Sequence, residues 1–459
     1  MTDETVSEEP IYQPLADVRV LDLTGQYAGS QITRILADLG AEVNKVEAAR
    51  HMDMVSRGLV PTDNRPTNHW WTRTAYWAER NINKRGITVD LTTDEGKEVF
   101  YDLLDVSDIL AENYTPRVMR HFGFEYEQLK ERKPGLIHIS LSGYGQEGPL
   151  ANAPANAFGM LAAAGLAYAM GEPGPAPYLP TTSLADMYAG ISAATSILVA
   201  LRRVRLTGEG ERIDMAGREG GMAMGAGFVL GSQLPPDQPG ERVYSTLILG
   251  CAGDEEWLVV CYRDAEEWAQ LCGVLGIEDP PEPPADPDDP PEEVVRAAAA
   301  ADRHAVASAL QAAGVAAAPV QTGRDILLDP HFEERDVYAL CRHTDPEIGA
   351  RPFGRAFPVR VLGARGTELR DPPRDLGRDN REVFREVLGY SDERIDALYE
   401  AGVAADGPST RFGRAWATPL DTEAMIHDGG ALPAPDYLEV LSERFGERVG
   451  PLRWPEEGS

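Results

Sequence analysis

An alternation of short apolar segments with a helical segment is the feature that most constrains the fold of this chain. Val18–Leu23 has the pattern of a short apolar strand, Ala28–Leu39 is amphipathic and is followed by Gly40, and Ala41–Glu47 has the pattern of a second strand. A strand, a helix and a strand at this spacing form a βαβ unit, whose two strands run parallel. The pattern therefore predicts a parallel sheet with helices packed on it.

The alternation continues along the first part of the chain. Further strands are predicted at Gly86–Leu91, Val106–Ala111 and Leu136–Leu141, with a helix at Asp94–Leu104. Repeated alternation of this kind is typical of an α/β fold with a doubly wound sheet. We therefore expect α/β architecture for the N-terminal half of the chain.

The pattern changes after residue 210, and residues 220–355 are predicted to form a smaller domain. Within it, 278–293 is a solvated loop rich in proline and acidic residues, 292–313 is an alanine-rich helix, and Val315–Val320 is a strand. Residues 380–402 are again predicted to be helical. The periodicity after residue 405 is too weak to assign structure.

The charge balance limits the partners that this protein can bind. The net charge is −31, because 74 acidic side chains outnumber 43 lysines and arginines. Nucleic acid and anionic membrane surfaces would repel such a protein, so neither is an expected partner. No segment approaches the roughly 18 apolar residues of a membrane span, and residues 1–10 lack the order of a signal peptide.

Cysteine and histidine usage indicates the compartment and argues against a metal site. The four cysteines form no CxxC pair, which is typical of reduced thiols in a cytoplasmic protein. The eight histidines form no HxH or HExxH motif. We therefore expect a cytoplasmic protein that binds no metal.

Asp186 is the strongest candidate for a catalytic residue. It stands just before the apolar run Ile191–Leu201, whose spacing predicts a buried helix, and so falls in or near the first turn of that helix. Free N–H groups and the helix dipole favour an ionised carboxylate there, as a carboxylate nucleophile requires. An aspartate at a helix start is more often a plain N-cap, so the local sequence leaves both interpretations open.

A glycine-rich segment, Gly143-Tyr-Gly-Gln-Glu-Gly148, matches the GxGxxG pattern and follows a predicted strand. Binding of a dinucleotide would need a helix to begin there, but Pro149 and an irregular segment follow, which argues against nicotinamide or flavin. Glycines at the C-terminal edge of a parallel sheet still allow a substrate to approach the backbone and leave N–H groups for an oxyanion. Glu147 is either a partner of Asp186 in acid–base chemistry or an ordinary polar turn residue.

Two other polar segments adjoin predicted strands. Asn83-Lys84-Arg85 places donors in a turn before a strand, and Asn113-Tyr114 follows the carboxyl end of another. Such donors suit a nucleotide phosphate or ribose, and Tyr114 could face a base. Ordinary turn chemistry explains the same residues equally well.

Several segments occur in an order that resembles a known family. They are Leu15–Leu23, Leu36–Val43 with Lys45–Glu47, Asn83–Arg85, Ala111–Tyr114, Ser142–Pro149, Gly171–Pro173, Asp186 before Gly190, Gly314–Val320, Asp329–Phe332 and Leu388–Tyr390. This ordered set resembles the class III CoA-transferase family, which includes formyl-CoA and carnitine CoA-transferases. No single motif is diagnostic, but the set is specific and covers about residues 15–405.

The resemblance implies a reaction for Asp186. Its carboxylate would attack the thioester of a donor acyl-CoA, giving an acyl-aspartyl anhydride and CoA thiolate, which recombine to an aspartyl-CoA thioester. An acceptor carboxylate would then attack and take over CoA. The substrates would be an acyl-CoA and a small carboxylic acid, with no permanently bound cofactor.

The resemblance also implies binding sites and an architecture. The loop for oxyanion and substrate would be Gly143, Gly145, Gln146, Glu147 and Gly148, and the CoA-binding residues would be Asn83, Lys84, Arg85, Asn113 and Tyr114. The fold would be an interlocked homodimer, each chain with a Rossmann-like large domain and a smaller α/β domain. The predicted parts are the N-terminal part of the large domain (1–215), the smaller domain (220–355), a return segment of the large domain (356–405) and a C-terminal extension without an assigned role (406–459).

Two alternatives to CoA transfer are kept. Asn156 and Ala157 stand where the α-methylacyl-CoA racemase branch of the family carries a histidine–aspartate pair. Neither residue is a useful acid or base, which favours transfer over racemisation. The other alternative is a non-catalytic CoA-binding protein.

Overall fold

A computed structural model describes most of the chain. The described residues are 10–58, 60–65, 69–170, 183–233, 244–364, 366–409, 419–427, 434–446 and 449–450. The motif Gly171–Pro173 lies outside them, as do residues 180–182 before Asp186. Two compact units are formed, one by Met1–Gly231 with Asp336–Ser459 and the other by Ser232–Arg335. The smaller unit is therefore narrower than the predicted 220–355.

A six-stranded parallel sheet organises the first unit. Its order is β3-β2-β1-β4-β5-β6, so strands are added in one direction from β1 to β3 and in the other from β4 onwards. The expected α/β fold with a doubly wound, Rossmann-like sheet is confirmed. The strands are β1 (Arg19–Asp22), β2 (Glu42–Glu47), β3 (Lys84–Thr88), β4 (Ile109–Glu112), β5 (Ile137–Ser142) and β6 (Glu211–Ala216).

Helices cover both faces of this sheet. Those before the second unit are α1 (Ala28–Asp38), α2 (Met54–Gly58), α3 (Ala75–Asn81), α4 (Asp94–Asp105), α5 (Pro116–Phe122), α6 (Tyr126–Arg132), α7 (Ala157–Ala163), α8 (Leu166–Ala169), α9 (Leu184–Thr207), α10 (Gly217–Met224) and α11 (Ala226–Gly231). One apolar cluster joins α1 and α9 to the sheet and includes Ile32 and Ile197. The other joins α4 to the opposite face and includes Phe100 and Leu103. Two-sided burial explains why β1 and β4 are apolar at successive positions.

Helix α9 has the length and composition that a membrane span would need, and no other described helix does. Half of its apolar window is buried inside the fold. Ala189, Ala193 and Ile197 lie in the core cluster that α9 shares with α1. Packing within the protein therefore accounts for the apolar character of α9.

The second unit is a three-stranded antiparallel sheet with order β7-β8-β9 and its own apolar core. The predicted single helix over 292–313 is wrong, because Asp302 begins a new helix by accepting a hydrogen bond from the Ala305 N–H at 2.8 Å. The elements are β7 (Ser245–Gly250), β8 (Trp257–Tyr262), α12 (Ala265–Val274), α13 (Glu292–Ala299), α14 (Arg303–Ala312), β9 (Ala316–Pro319), α15 (Gly323–Leu328) and α16 (Pro330–Glu334).

The chain then returns to the first unit. Asp379 and Asn380 accept hydrogen bonds from the Gly86 and Thr88 N–H groups of β3, at 2.7 and 2.8 Å, so the return segment covers this edge of the sheet. The predicted helical stretch 380–402 is interrupted, because Ser391 caps a new helix. The elements are β10 (Tyr338–Arg342), β11 (Ala350–Gly354), α17 (Asn380–Glu382), a π-helical turn (Val383–Val387) and α18 (Asp392–Glu400).

The C-terminal extension contacts the segment between β2 and α3. The Asn64 side chain pairs with the backbone of Leu420, with N···O distances of 2.8 and 2.7 Å. The Tyr437 hydroxyl donates to the Asp63 carboxylate at 2.6 Å. The helices of the extension are α19 (Thr422–His427) and α20 (Tyr437–Phe445).

Candidate active site

A cavity of about 350 Å³ opens at the carboxyl ends of β1 to β4. The direction of strand addition reverses between β1 and β4, and open α/β sheets bind ligands at such switch points. Its apolar walls come from Leu23, Val89, Leu91, Val118 and Phe122. The strand order thus creates the cavity, and the strand ends supply its polar residues.

The acidic side chains at the cavity are already engaged by the protein. Glu47 accepts two hydrogen bonds from Arg57, at 2.9 and 2.6 Å. Asp53 accepts hydrogen bonds from the Gln26 N–H and from the Ser56 hydroxyl. Because the walls are apolar and Glu47 and Asp53 already have partners, the cavity suits an uncharged group, although Lys45 and His51 also line it.

Two of the residues expected to bind CoA line this cavity. The Asn113 amide accepts from the Gly25 N–H at 2.7 Å and donates to the Gly25 carbonyl oxygen at 3.0 Å, so it fixes the turn between β1 and α1. Tyr114 is half-buried at the cavity wall, and its backbone N–H donates to Glu112 at 2.7 Å. Asn113 therefore shapes the cavity, whereas the Tyr114 ring is available to a ligand.

The other three expected CoA-binding residues do not line the cavity. Asn83 donates to Asp38 and to the Glu368 carbonyl oxygen, at 2.8 and 2.9 Å, which ties the return segment to α1. Lys84 begins β3 rather than a turn, and its ammonium lies 3.3 Å from Asp22. Arg85 is half-buried and pairs with Glu42 and Glu382.

Burial of Lys84 disfavours the charged form of its side chain. Its side chain is almost fully buried, and desolvation lowers its pKa to about 7 although Asp22 favours the charged form. Its ammonium donates to the Ser30 carbonyl oxygen and to the Asn81 side chain, both at 3.1 Å. These contacts are internal, so the geometry supports a role in the fold.

Asp186 lies in the first turn of α9 and is 7 % exposed. Among the described residues, no hydrogen bond to its carboxylate is seen, so it does not act as the N-cap. Burial raises its pKa to about 6, and the charge of Arg80 opposes this shift. The expected effect of the helix terminus is thus outweighed by desolvation, although a pKa near 6 still leaves the carboxylate mostly ionised at neutral pH.

Arg80 and Tyr76 are close enough to this carboxylate to interact with it electrostatically, and Arg80 also contacts Tyr27. The Arg80 guanidinium carbon lies 3.4 Å from the Tyr27 ring centroid and 4.2 Å from that of Tyr76. Burial and neighbouring carboxylates, Asp186 and Asp53 among them, raise the pKa of Tyr76 to about 12. The Tyr76 hydroxyl is therefore influenced both by Asp186 and by Asp53, which lines the cavity.

Close packing of α9 on α1 sets the position of Asp186. A Cβ atom at Gly190 would lie 3.0 Å from the Ala28 carbonyl oxygen, so only glycine permits this approach. Asp186 stands about one helical turn before Gly190. The carboxylate is therefore held near the start of α1, which adjoins the turn that forms the cavity.

The glycine loop after β5 is rigidly held. Gly145 and Gly148 have φ values of 82° and 89°, which favour glycine. The Gln146 N–H donates to both oxygens of Asp214, at 3.1 and 3.0 Å, and so is not free for an oxyanion. The Gln146 side-chain Nε2 is buried without a hydrogen bond. Glu147 is exposed.

The described contacts connect this loop to Asp186 through α10. The Gly143 carbonyl oxygen accepts from the Arg218 N–H of α10 at 3.0 Å. A Cβ atom at Gly221 of α10 would lie 3.5 Å from the Ala185 side chain. The next helix after the loop begins only at Ala157, where the Asn156 side chain caps it by accepting from the Gly159 N–H at 2.7 Å. Asn156 thus has a structural contact that explains its presence.

No group of three or more histidine, cysteine, aspartate or glutamate side chains with the geometry for a metal ion is found in the described part of the chain.

A doubly wound sheet with a cavity at its switch point fits a protein that handles nucleotide-linked substrates. Residues 15–380 match the model of CoA-transferase family III, and the chain belongs to that family. The protein is accordingly a transferase that acts on CoA thioesters. The assigned family is the one that the sequence resembled.

Individual relatives agree with this assignment. The succinyl-CoA–D-citramalate CoA-transferase of Chloroflexus aurantiacus is 29 % identical, over 84 % of this chain and 97 % of that protein. The human succinyl-CoA:glutarate CoA-transferase is 25 % identical, over 85 % and 90 %. The crystal structure of a CaiB/BaiF family protein from Brucella suis superposes with a TM-score of 0.68 at 24 % identity, over 82 % of this chain and all of that one, which shows a shared fold.

Sequence reasoning missed several residues of the site. Tyr76 and Arg80, which influence Asp186 electrostatically, belong to no recognisable motif. Gln26 and Asp53 line the cavity. The sequence offered one signal for the cavity residues. A ligand at the switch point of such a sheet contacts the turn after β1, which contains Gln26.

Proposed function

We propose that the protein transfers CoA from an acyl-CoA to a free carboxylic acid, with Asp186 as the nucleophile. The observation that carries this proposal is the buried Asp186 carboxylate, which accepts no hydrogen bond from the described residues and lies where α9 packs on the start of α1. Its pKa near 6 combines ionisation at neutral pH with the nucleophilicity of a desolvated group. The protein would act in the cytoplasm without a permanently bound cofactor.

The proposed steps balance without an external reagent. The Asp186 carboxylate attacks the acyl carbon and expels CoA thiolate, and the thiolate then attacks the aspartyl carbonyl and expels the donor acid. The acceptor carboxylate attacks the carbonyl of the resulting aspartyl-CoA thioester and expels CoA thiolate, which gives a second mixed anhydride. The thiolate then attacks the acceptor acyl carbon of this anhydride and expels the Asp186 carboxylate. Asp186 is regenerated as a carboxylate. The glycine loop is proposed to shape the acyl site, since it is linked to Ala185, next to Asp186, through α10.

Racemisation is the less favoured activity. An α-carbon racemase needs two acid–base groups on opposite sides of the substrate. The Asn156 amide is used to cap α7 and does not titrate. The position therefore offers no base, and deuterium exchange at the α-carbon of an acyl-CoA in the absence of an acceptor would contradict this view.

A transfer assay tests the proposed function. The purified protein is incubated with succinyl-CoA, the donor in the names of the relatives above, and with a panel of mono- and dicarboxylic acids. Formation of a new acyl-CoA is followed by mass spectrometry. We expect transfer to at least one acid, with no ATP or metal required. Hydrolysis without transfer, for every acid, would contradict the proposal.

The cavity is proposed to hold the adenine end of CoA. Its volume lies at the small end of the range for ligand sites, so it accommodates a part of CoA, and its apolar walls suit an uncharged group. Tyr114 supplies an aromatic wall for the base. Asn113 contributes by fixing the turn between β1 and α1. The segment Asn83–Arg85 contributes by supporting β3, the strand that leads to the cavity.

We expect the Tyr114→Ala substitution to raise the KM for acyl-CoA about tenfold with kcat nearly unchanged. Base–aromatic stacking contributes about 1–3 kcal/mol, and its loss affects ground state and transition state equally. Tyr114→Phe, which keeps the ring, is the matched control and should behave as wild type. Equal KM values for all three proteins would exclude Tyr114 from the CoA site.

A homodimer is proposed because the first unit carries a large exposed apolar surface. This surface, called the α8–α11 patch, consists of Tyr168, Ile191, Val199, Phe228 and Leu230, which are 51–86 % exposed. Exposed apolar side chains that together form one surface mark interaction sites in many proteins, and the proposed dimer would cover these five residues. A second copy of the chain is the proposed occupant.

Sedimentation analysis tests the dimer. Wild-type protein is expected to sediment as a dimer, and the Phe228→Glu variant should shift towards monomer, because a buried charge in an apolar interface is unfavourable. Val359→Glu, at a 49 % exposed residue outside the patch, is the control. A monomeric wild type at micromolar concentration would refute the proposed dimer.

A further inference from the structure

Arg80 is a charged residue that acts electrostatically on Asp186 but has no role in the proposed transfer steps. It is 3 % exposed, on α3, and its guanidinium contacts the rings of Tyr27 and Tyr76, which are edge-to-face to each other at 65°. A buried guanidinium normally pairs with a carboxylate that satisfies several of its five N–H groups. The partners of Arg80 are therefore informative.

The hydrogen bonds of Arg80 leave part of its guanidinium unused. Within the described residues, the Arg80 side chain makes two hydrogen bonds, and Nη1 donates both of them. The acceptors are the Tyr76 carbonyl oxygen at 3.2 Å and the Glu79 carboxylate at 3.0 Å. Nε is buried without a partner. Glu79 is 53 % exposed, so its pairing with Arg80 is screened by solvent. Leaving a buried donor unpaired is costly, so a ligand acceptor would be stabilised here.

The location of this guanidinium relative to Asp186 follows from helix packing. Tyr27 immediately precedes α1, and α9 packs on the Ala28 carbonyl through Gly190, one turn after Asp186. Arg80 lies against the Tyr27 ring and is close enough to act on Asp186 electrostatically. Among the described contacts, however, the two groups form no direct ion pair. Both retain hydrogen-bonding capacity for a third group.

The chemistry of the proposed transfer requires a cation at this point. The donor acid departs from Asp186 as a carboxylate, and the acceptor acid must approach the same carbon as a carboxylate. Two carboxylates at one buried site repel each other unless a positive charge compensates. An arginine held by aromatic rings is preorganised for bidentate binding of a carboxylate.

We propose that Arg80, in contact with the rings of Tyr27 and Tyr76, binds the carboxylate of the acid that enters or leaves at Asp186. This inference rests on the proposed function, since it assigns the subsite for its acid substrate. Arg80 acts on both half-reactions, because the departing donor acid and the incoming acceptor acid occupy the same position. The substrate class is a carboxylic acid whose reacting carboxylate is ionised.

Kinetics of Arg80→Met test the assignment. We expect the KM for the acceptor acid and the inhibition constant of the donor acid to rise together, at least tenfold, with the KM for acyl-CoA changed less than about twofold. Arg80→Lys should restore acceptor binding in part, because it keeps the charge but loses the planar fork. Arg120→Met, at an arginine whose side chain is 64 % exposed, is the control and should match wild type.

The pH profile separates this role from a structural one. Because Arg80 lowers the pKa of Asp186, Arg80→Met should move the acid limb of kcat/KM for acyl-CoA to higher pH, whereas Arg80→Lys should leave it near the wild-type position. A structural effect would lower activity without moving this limb. If Arg80→Met does not fold, Arg80→Lys tests the assignment by itself. A KM for the acceptor acid above the wild-type value would support the assignment, and an unchanged KM would contradict it.

The outcomes distinguish the two proposals. If the wild-type protein transfers CoA and the Arg80 variants keep normal acceptor KM and normal acid limbs, the Arg80 assignment is wrong and the proposed function stands. Equal increases in the KM values for acyl-CoA and acid would also overturn it, since they indicate general damage to the site. If the wild-type protein transfers CoA to no acid, both proposals fail.

Discussion

Asp186→Asn is expected to lower kcat for CoA transfer by about 10³-fold or more, with the fold unchanged. The amide keeps the shape of the side chain but cannot form the anhydride or the aspartyl-CoA thioester, so the covalent route is lost rather than slowed. Steady-state transfer, measured with the best acid from the panel, provides the comparison. A loss of this size corresponds to about 4 kcal/mol of transition-state stabilisation.

The controls for this substitution come from the chain itself. Asp94 also lies in the first turn of a helix, α4, but is exposed. Asp94→Asn should therefore retain activity. Asp186→Asn should be no less stable than wild type at neutral pH, since a desolvated carboxylate with a raised pKa destabilises the fold when ionised, above its folded-state pKa. Activity within tenfold of wild type would remove Asp186 from the chemistry.

Arg34→Met is expected to reduce the free energy of unfolding by about 3–5 kcal/mol. Arg34 and Asp38 form a fully buried bidentate pair on α1, with N···O distances of 2.8 and 3.0 Å. Removing the arginine leaves Asp38 as an uncompensated buried charge. Asp38 also accepts from the Asn83 amide and from the Ala356 N–H, so the return segment should loosen too.

Urea denaturation measures this effect, and a surface pair gives its control. Arg205 pairs with Asp17 at 2.8 Å, but their side chains are 52 % and 71 % exposed. Arg205→Met should cost no more than about 1 kcal/mol, because exposed ion pairs contribute little. If both variants lose the same stability, the Arg34–Asp38 pair does not hold the return segment as described.

Local patterns predicted five of the six parallel strands of the first unit, but not β6. The βαβ segment appears as β1, α1 and β2 within one or two residues of its predicted ends. The error at 292–313 has a local cause, because Asp302 is a capping residue within an alanine-rich stretch whose composition favours one continuous helix. The boundaries of the second unit depend on contacts between distant segments and were less accurate.

The candidate site was less predictable because its parts come from distant segments. Asp186 was a candidate because it precedes an apolar helix, and Asn113 with Tyr114 because they follow a strand; their roles remain proposals. Asn83 and Lys84 have the polar character of ligand residues, but their partners are Asp38, far away in sequence, and Asp22. Arg80 has no motif, and only the tertiary packing of α1, α3 and α9 brings it near the carboxylate.

Covalent trapping tests the central claim most directly. The protein is mixed with succinyl-CoA in the absence of an acceptor acid, treated with hydroxylamine, digested, and analysed by mass spectrometry for the hydroxamate of the peptide that contains Asp186. We predict that Asp186 is modified only when the acyl-CoA is present, and that Asp94 is not modified. Wild-type protein that transfers CoA but carries no label at Asp186 would contradict the mechanism.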